Sequence, residues 1–579
     1  MSKKLISGYQ ETGKNDNALF TLKVHRGDGM ALLAMDWKNG KPSLDFVGFS
    51  IEYKEPKGDK FFPLRNRVSF PGAKANDPNV RYTLNSPLQK FRWVHFPRNA
   101  ELEGMFTYKV KPVFMNKAGE LSYGESQQCS ITLARETYPG LMNITFTRGF
   151  ISSQAFADKF QENGEVNTLL PTKAKEGLKF QSKRDDADQA KTWMGFEAYN
   201  AILELLDAAI KNKKADICVI AYDLNQPEIV TRLKSLGKRL RIIIDDSKDH
   251  GEEGSAENQA EDILRTTAGE KNVIRQKMGS LQHNKTIIVQ GPGLNKVLFG
   301  STNFSWRGIF VQNNSAIVIN GAKPVAIFLE AFENFWRVGD SNKVSLFNST
   351  NSPTWQSLEI SNIHAEITFS PHNDQNSVLQ SIGDDIGNTE SSLLYSMAFL
   401  AQTGGPIRKA LTDITKSKKI FVYGISDKPL KNGGGISLKN TDGNPQPVSP
   451  AIISKNIPEP FKKEVSGGGG IRMHHKFLVI DFNTDKARVY VGSYNFSGVA
   501  DSKNGENLML IKDRKVATSY MIEAVRIFDH YEFRIAQNKA AEKKKKVELI
   551  LPPKDKNQKP WWDKYYTNKR YKRDRELFS

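Results

Sequence analysis

At 579 residues and 65.1 kDa the chain is too long for one hydrophobic core, and about two to four domains are expected. Hydrophobic residues at 39%, charged residues at 25%, and 43 Gly and 25 Pro without a period exclude collagen-like and low-complexity classes. The formal charge of +19 favours a polyanionic partner, while Cys129 and Cys218 alone exclude a disulfide framework or a CxxC metal site.

The opening MSKKLISGYQETGKNDNALF has positive charge but no apolar core of signal-peptide length, and no run of roughly 18 uncharged apolar residues follows. A reducing, cytoplasmic location is therefore expected. From residue 1 to 145, short apolar stretches such as ALFTLKV and GMFTYKVKPVFM alternate with Gly, Pro and Asn turns, the pattern of an antiparallel β-sandwich. The segment Met105 to Ala134, two strands around a turn at Asn116 to Gly119, resembles the end of a fibronectin type III or immunoglobulin-like domain.

Strands alternate with helices from Phe150 onward. Helical spacing over 195–214 precedes the strand DICVIAYDL, the helix QPEIVTRLKSL and the buried strand RLRIIIDD. The order returns as SSLLYSMAFL, GPIRKALTDIT and KKIFVYGISD, which predicts an internal repeat with halves at 146–350 and 351–536. Residues 427–470, rich in Gly, Pro and Asn and ending in Ser466-Gly467-Gly468-Gly469-Gly470, form an insertion that is either a lid or a surface loop. The tail, 537–579, carries 14 Lys and Arg against 6 Asp and Glu, with Trp561, Trp562, Tyr565, Tyr566 and Tyr571 interleaved. Those aromatics could stack on bases, but docking on the enzyme body is the expectation, since free tails rarely hold so many large rings.

One motif occurs twice, as LQHNKTIIVQ followed by GSTNFS and as RMHHKFLVID followed by GSYNFS. His283 to Gly300 is 17 residues and His474 to Gly492 is 18. A strand opening on His-x-Lys turns both side chains to one face, so His283 converges with Lys285 and His474 with Lys476. The second strand brings Ser301 and Asn303, or Ser493 and Asn495, to the same edge, with glycine permitting close backbone approach to a ligand. One copy supplies a single imidazole. Cleaving a phosphodiester through a covalent intermediate needs a nucleophile and a separate acid, which two facing copies provide.

These residues are similar to the phospholipase D superfamily, whose signature is His-x-Lys-x4-Asp followed by Gly-Ser-x-Asn, doubled in most single-chain members. The second copy matches through His474, Lys476, Asp481, Gly492, Ser493 and Asn495, with Glu506 as the downstream carboxylate. The first keeps His283, Lys285, Gly300, Ser301 and Asn303, but Gln290 replaces the aspartate and Asn314 falls near the position of Glu506. The resemblance implies a multidomain protein in which a β-sandwich precedes two α/β, mixed-sheet halves related by pseudo-two-fold symmetry. It implies a phosphohistidine intermediate, no cofactor and no metal. His283, Lys285, His474 and Lys476 would be catalytic. Ser301, Asn303, Ser493, Asn495, Asp481 and Glu506 would bind phosphate or support the site, His283 being the nucleophile and His474 the acid. A reference imidazole pKa of about 6.5 lets the two take opposite protonation states near neutrality.

His475 points to the opposite face of its strand and is expected to pack, as are His25, His95, His364 and His372. The reading that follows is a metal-independent nuclease acting on DNA or RNA, with nucleic acid as partner. Two alternatives stand: a phospholipase D adsorbing to an anionic membrane surface, and a non-catalytic nucleic-acid-binding module. The N-terminal sandwich would then meet a protein partner.

Overall fold

The computed structural model describes residues 8–74, 77–133, 136–149, 156, 159–160, 168–341, 343–400, 403–417, 419–426, 436–440, 446–448, 473–555 and 557–579. Two compact units divide it: Met1–Arg135 with Thr518–Ser579, and Glu136–Ala517.

The first unit contains two antiparallel sheets. One orders β1 (Gln10–Thr12), β2 (Phe20–Arg26), β3 (Ala31–Trp37) and the later strand Arg92–His95 side by side. The other is built on β4 (Phe46–Lys54), with β5 (Phe62–Pro63) on one flank. Beyond β6, the Arg92–His95 strand, come β7 (Met105–Met115) on the other flank of β4, then β8 (Leu121–Tyr123) and β9 (Gln127–Thr132), both paired with β7. Alternation sets the core: Phe20, Leu22 and Val24 of β2 pack with Phe106, Tyr108 and Val110 of β7 in one apolar cluster. Trp561, Trp562 and Tyr565 belong to the same cluster. Their indole nitrogens donate to the carbonyls of Phe46 (3.0 Å) and Ser43 (3.2 Å). The tail predicted as a segment of its own from 537 is therefore core material of the N-terminal unit, and its docking surface is a β-domain core instead of the enzyme body. Of the histidines expected to pack here, His25 is buried with Nε2 2.6 Å from the Phe578 carbonyl, and His95 Nδ1 meets the Tyr108 hydroxyl at 3.1 Å.

In the second unit the strands are β10 (Met142–Phe146), β11 (Asp216–Ala221), β12 (Leu240–Asp245), β13 (Val273–Gln276), β14 (Lys285–Gly291), β15 (Leu294–Gly300) and β16 (Ser315–Asn320), then β17 (Gln356–Ser357), β18 (His364–Ser370), β19 (Ser392–Met397), β20 (Phe421–Ser426), β21 (Ile436–Asn440), β22 (Gln446–Val448), β23 (Lys476–Ile480), β24 (Arg488–Gly492) and β25 (Glu506–Lys512). They form a sheet of order β10-β16-β15-β14-β11-β12-β13 and another of order β17-β18-β25-β24-β23-β19-β20-β21-β22. Strand for strand, β10-β16-β15-β14-β11-β12 and β18-β25-β24-β23-β19-β20 repeat the same order and sense, antiparallel until a final parallel pair. Both sheets are thus mixed. Because β10 pairs with β16, the border expected at 145 falls inside the first strand of this unit.

Strands β12 (LRIIID) and β23 (KFLVI) are almost wholly buried, and Leu478 and Ile480 of β23 share an apolar cluster with Ile382, Ile386, Ile407 and Leu411 of the helices over one face. Helix Pro227–Leu236 starts with proline at its first position and buries Ile229, Val230, Leu233 and Leu236, a period of three to four. Helix Ala256–Ala268 is capped by Ser255, whose side chain accepts from the Asn258 amide. The halves diverge at the far edge, where β21 and β22, from within the predicted insertion, extend the second sheet antiparallel to β20. The run Ser466 to Gly470 and any lid it would form lie outside the described residues. No helix among the described residues is long and apolar enough to cross a membrane.

Candidate active site

The two His-x-Lys motifs sit where β14 and β23 begin, and each approach to a strand pairs with the opposite half. Gln282 bridges to Gly505 and Met473 bridges to Asn313. The His283 amide donates to the Gly505 carbonyl (2.8 Å) and the His474 amide to the Asn313 carbonyl (3.1 Å). This reciprocal exchange brings the imidazoles together, with ring centroids 6.5 Å apart at an interplanar angle of 70°. Both are buried, as are Lys285 and Lys476.

The supporting acceptors are exchanged as well. His283 Nδ1 lies 2.7 Å from Glu506 Oε2, and His474 Nδ1 lies 2.9 Å from Asn314 Oδ1. Each ring is therefore held by the residue just beyond the strand contact of the other half. The two departures of the first copy separate in consequence. Asn314 does occupy the place that corresponds to Glu506, but it serves His474. Gln290 is exposed at the outer end of β14, paired across to Asp216 and Asn295, and does not reach the imidazoles.

Asp481 is remote too. It follows β23, seven residues beyond His474, roughly 23 Å along an extended chain at about 3.3 Å per residue. Its carboxylate accepts the amides of Glu390, Ser391 (2.7 Å) and Ser392 (3.1 Å) and faces Arg488. Asp481 thus anchors the start of β19 and supports the sheet, not the phosphate. The serines pin adjacent strands: Ser301 Oγ accepts from the Ser315 amide and Ser493 Oγ from the Asn507 amide, both at 3.0 Å. The glycines serve the same close approach. At Gly300 (φ +149°) a Cβ would come within 2.4 Å of the Ser315 carbonyl oxygen, and at Gly492 (φ +157°) within 2.2 Å of that of Asn507. The close approach is to a neighbouring strand, where the sequence suggested a ligand. Asn303 and Asn495 are buried with amide oxygens that have no hydrogen-bond partner among the described residues.

Burial dominates the electrostatics. It pushes His283 and His474 well below the ordinary imidazole range, and the charges of Lys285 and Lys476 push further in the same direction. Lys285 is itself lowered by burial, which Glu506 opposes. Glu506 is raised by burial to about 7, against the pull of Lys285. Both shifts favour the neutral imidazole, and the negative charge of a substrate would oppose them, which is what opposite protonation states in the two rings require. His474 also has Lys476 Nζ 3.1 Å from its Nε2.

Of the other histidines, His475 lies on the opposite face between Phe146 and Phe477 (centroids 5.9 and 5.1 Å). His372 is buried against Asp501 (2.8 Å). His364 is exposed beside Glu366 (3.5 Å), a surface position instead of the packing one expected. Sequence reasoning missed Tyr222, whose ring lies 4.5 Å from that of His283, and the group Asp223, His250 and Glu257 behind it. Tyr222, Asp223 and His250 follow strands of the first half and Glu257 opens helix Ala256–Ala268, where no motif marks them.

The family described as "Cardiolipin synthase, PLD-like domain" matches residues 202–336 and 382–526. Curated relatives include a phospholipase D of Rickettsia conorii, 42% identical over 110 residues (17% of this chain, 50% of the relative), and one of Rickettsia prowazekii, 48% identical over 48 residues (8% and 22%). A mitochondrial cardiolipin hydrolase of Chlamydomonas reinhardtii is 28% identical over 122 residues (21% and 50%). The chain spans half or less of the length of these relatives. Similar solved structures include a phosphatidylserine synthase of Haemophilus influenzae (12% identity, 66% of this chain and 93% of that one, TM-score 0.39). Another is Nuc of Salmonella typhimurium, a phospholipase D family member (27% identity, 24% and 87%, TM-score 0.20). With a doubled motif, exchanged supports and a phospholipase D-like domain matched in each half, the two α/β halves of this chain belong to the phospholipase D superfamily.

Proposed function

We propose that this protein is a metal-independent nuclease that cleaves phosphodiester bonds through a phosphohistidine on His283. The observation that carries the reading is the meeting of His283 and His474 across one buried site, centroids 6.5 Å apart, between two lysines. The unequal supports favour the division of labour. Nδ1 of each ring is engaged, which turns Nε2 of His283 to phosphorus and Nε2 of His474, with Lys476 Nζ 3.1 Å away, to the leaving oxygen. The Glu506 carboxylate on His283 stabilises the cation that forms when Nε2 bonds to phosphorus; the neutral Asn314 on His474 fixes the tautomer without weakening its conjugate acid. In the first step the P–Nε2 bond forms, the P–O bond of the leaving group breaks, and His474 delivers a proton to that oxygen. In the second, His474 takes a proton from water, whose oxygen attacks phosphorus and releases His283. Lys285, Lys476, Asn303 and Asn495 would hold the non-bridging oxygens, and losing one such donor costs roughly a hundredfold or more in rate.

The charge of +19 supports nucleic acid as the substrate. The names of the curated relatives favour a second reading, a phospholipase acting at an anionic membrane surface. An intracellular location and a protein partner for the N-terminal unit remain part of the proposal. Plasmid and single-stranded DNA incubated in EDTA should be degraded, and both His283→Ala and His474→Ala should abolish this. Intact DNA with choline released from phosphatidylcholine would move the reading to the lipase. DNA retention without turnover, unchanged in His474→Ala, would indicate a binding module.

A further inference from the structure

Tyr222 stands immediately after β11, where Ala221 pairs across the sheet with Lys285. Its ring is wedged between two imidazoles, 4.5 Å from His283 at 68° and 4.6 Å from His250 at 62°. His250 is itself tethered, Nδ1 3.1 Å from Glu257 Oε2, while Glu257 Oε1 accepts the Leu224 amide at 3.1 Å. The Lys285 ammonium sits over the Tyr222 ring, 4.5 Å from its centroid. The same ammonium donates to the His283 carbonyl. One aromatic side chain therefore touches both reactive members of the first motif, and the tethered His250 imidazole behind it keeps it from turning away. In the second half a ring, that of Phe399, lies 6.4 Å from His474.

A buried ammonium needs stabilisation that does not accept its proton. Lys285 faces carboxylates of Glu506, Asp245 and Asp223, the ammonium of Lys476 and the ring of His283. An aromatic face favours the cation through its quadrupole, most strongly where water is excluded. We propose that Tyr222 is a positioning residue, its ring fixing the His283 imidazole with Nε2 toward phosphorus and holding Lys285 as an ammonium at the phosphate. The inference rests on the phosphodiesterase reading of this site and adds to it a residue that no motif identifies.

The test uses the full chain with bis(4-nitrophenyl) phosphate as diester and inorganic phosphate in calorimetry. Tyr222→Leu should lower kcat about 30-fold with little change in KM, the upper range of a desolvated cation–π contact. Losing the ring disfavours the charged lysine, so the alkaline limb of the rate profile should move to lower pH. Tyr222→Phe should restore both to within about threefold, since the ring and not the hydroxyl makes the contacts. If the leucine variant does not fold, Tyr222→Met replaces it with an unbranched side chain. Wild-type rate and alkaline limb in the leucine variant, or equal loss in the phenylalanine variant, would overturn the inference. A wild type that leaves the diester intact would instead overturn the phosphodiesterase reading. Phosphate titration then still decides Tyr222: affinity lost at alkaline pH in the leucine variant alone supports it, and equal affinity in all three proteins overturns it.

Discussion

The two imidazoles differ in what each Nδ1 meets: a carboxylate for His283, a carboxamide for His474. An imidazole that must become a phosphorylated cation gains from a nearby negative charge, whereas an acid is weakened by one. Glu506→Gln keeps the shape and removes the charge, and should cut kcat about a hundredfold or more while leaving the fold intact by circular dichroism. Because burial raises Glu506 to about 7 and the anion is the working form, the rate of the free enzyme should fall as pH drops through that value. Glu506→Gln should lose this acid limb, as a pH–kcat/KM profile would register. Gln290→Asp should leave kcat within about threefold of wild type, because position 290 is exposed at the outer end of β14 and has no route to either ring. Steady-state rates on the same substrate check this.

At the scale of strands, the site exists because β15 and β24 end in glycines that let the following strand come closer than any Cβ allows. Gly492→Ala would drive a methyl group against the Asn507 carbonyl oxygen, 2.2 Å away, beside Glu506 and Ser493. It should destabilise the protein by about 3 kcal/mol or more, read as a lowered denaturation midpoint. Much of this level was legible in the chain. His283, Lys285, His474 and Lys476 fall where strand periodicity placed them, and the helices and strands from Ala187 to Lys512 follow apolar spacing. The exchange of supports was not legible. The partnership of Glu506 with His283 joins residues 223 positions apart, and the one signal for it was that Asn314 and Glu506 each fall 14 residues after the glycine of their GSxN. For Ser301, Ser493 and Asp481 the sequence left phosphate binding and support both open, because recurrence in a motif does not distinguish a residue that touches substrate from one that ties strands together. Tyr222 and His250 had no recurrence at all.

Across the whole chain, the ends meet within one unit. Trp561 and Trp562 fill the core begun by Phe20 and Phe46; the density of rings in the tail signalled docking, but nothing in the tail's composition named the surface that receives them. Charge pairs secure the same unit: Arg92 contacts Asp529 (2.6 Å) and Asp574 (2.5 Å). Burial alone would raise the Asp529 carboxyl, but Arg92 and Lys90 outweigh it and hold the group at about 2. Its contribution is therefore present above the unfolded value near 3.9 and is lost as pH falls through 2. Asp529→Asn should cost roughly 2 to 3 kcal/mol of stability at pH 7 and close to nothing at pH 2, measured by denaturant titration at the two pH values.

One shared centre built from both halves, with His283 as its nucleophile, is the core of the proposed chemistry. Rapid acid-free quenching of His474→Ala with a phosphodiester carrying a good leaving group, followed by peptide mass spectrometry, reads that centre directly. A phosphoryl adduct on His283, absent from His283→Ala, is the predicted result. An adduct on any other residue, or turnover that survives in both histidine variants, would contradict it.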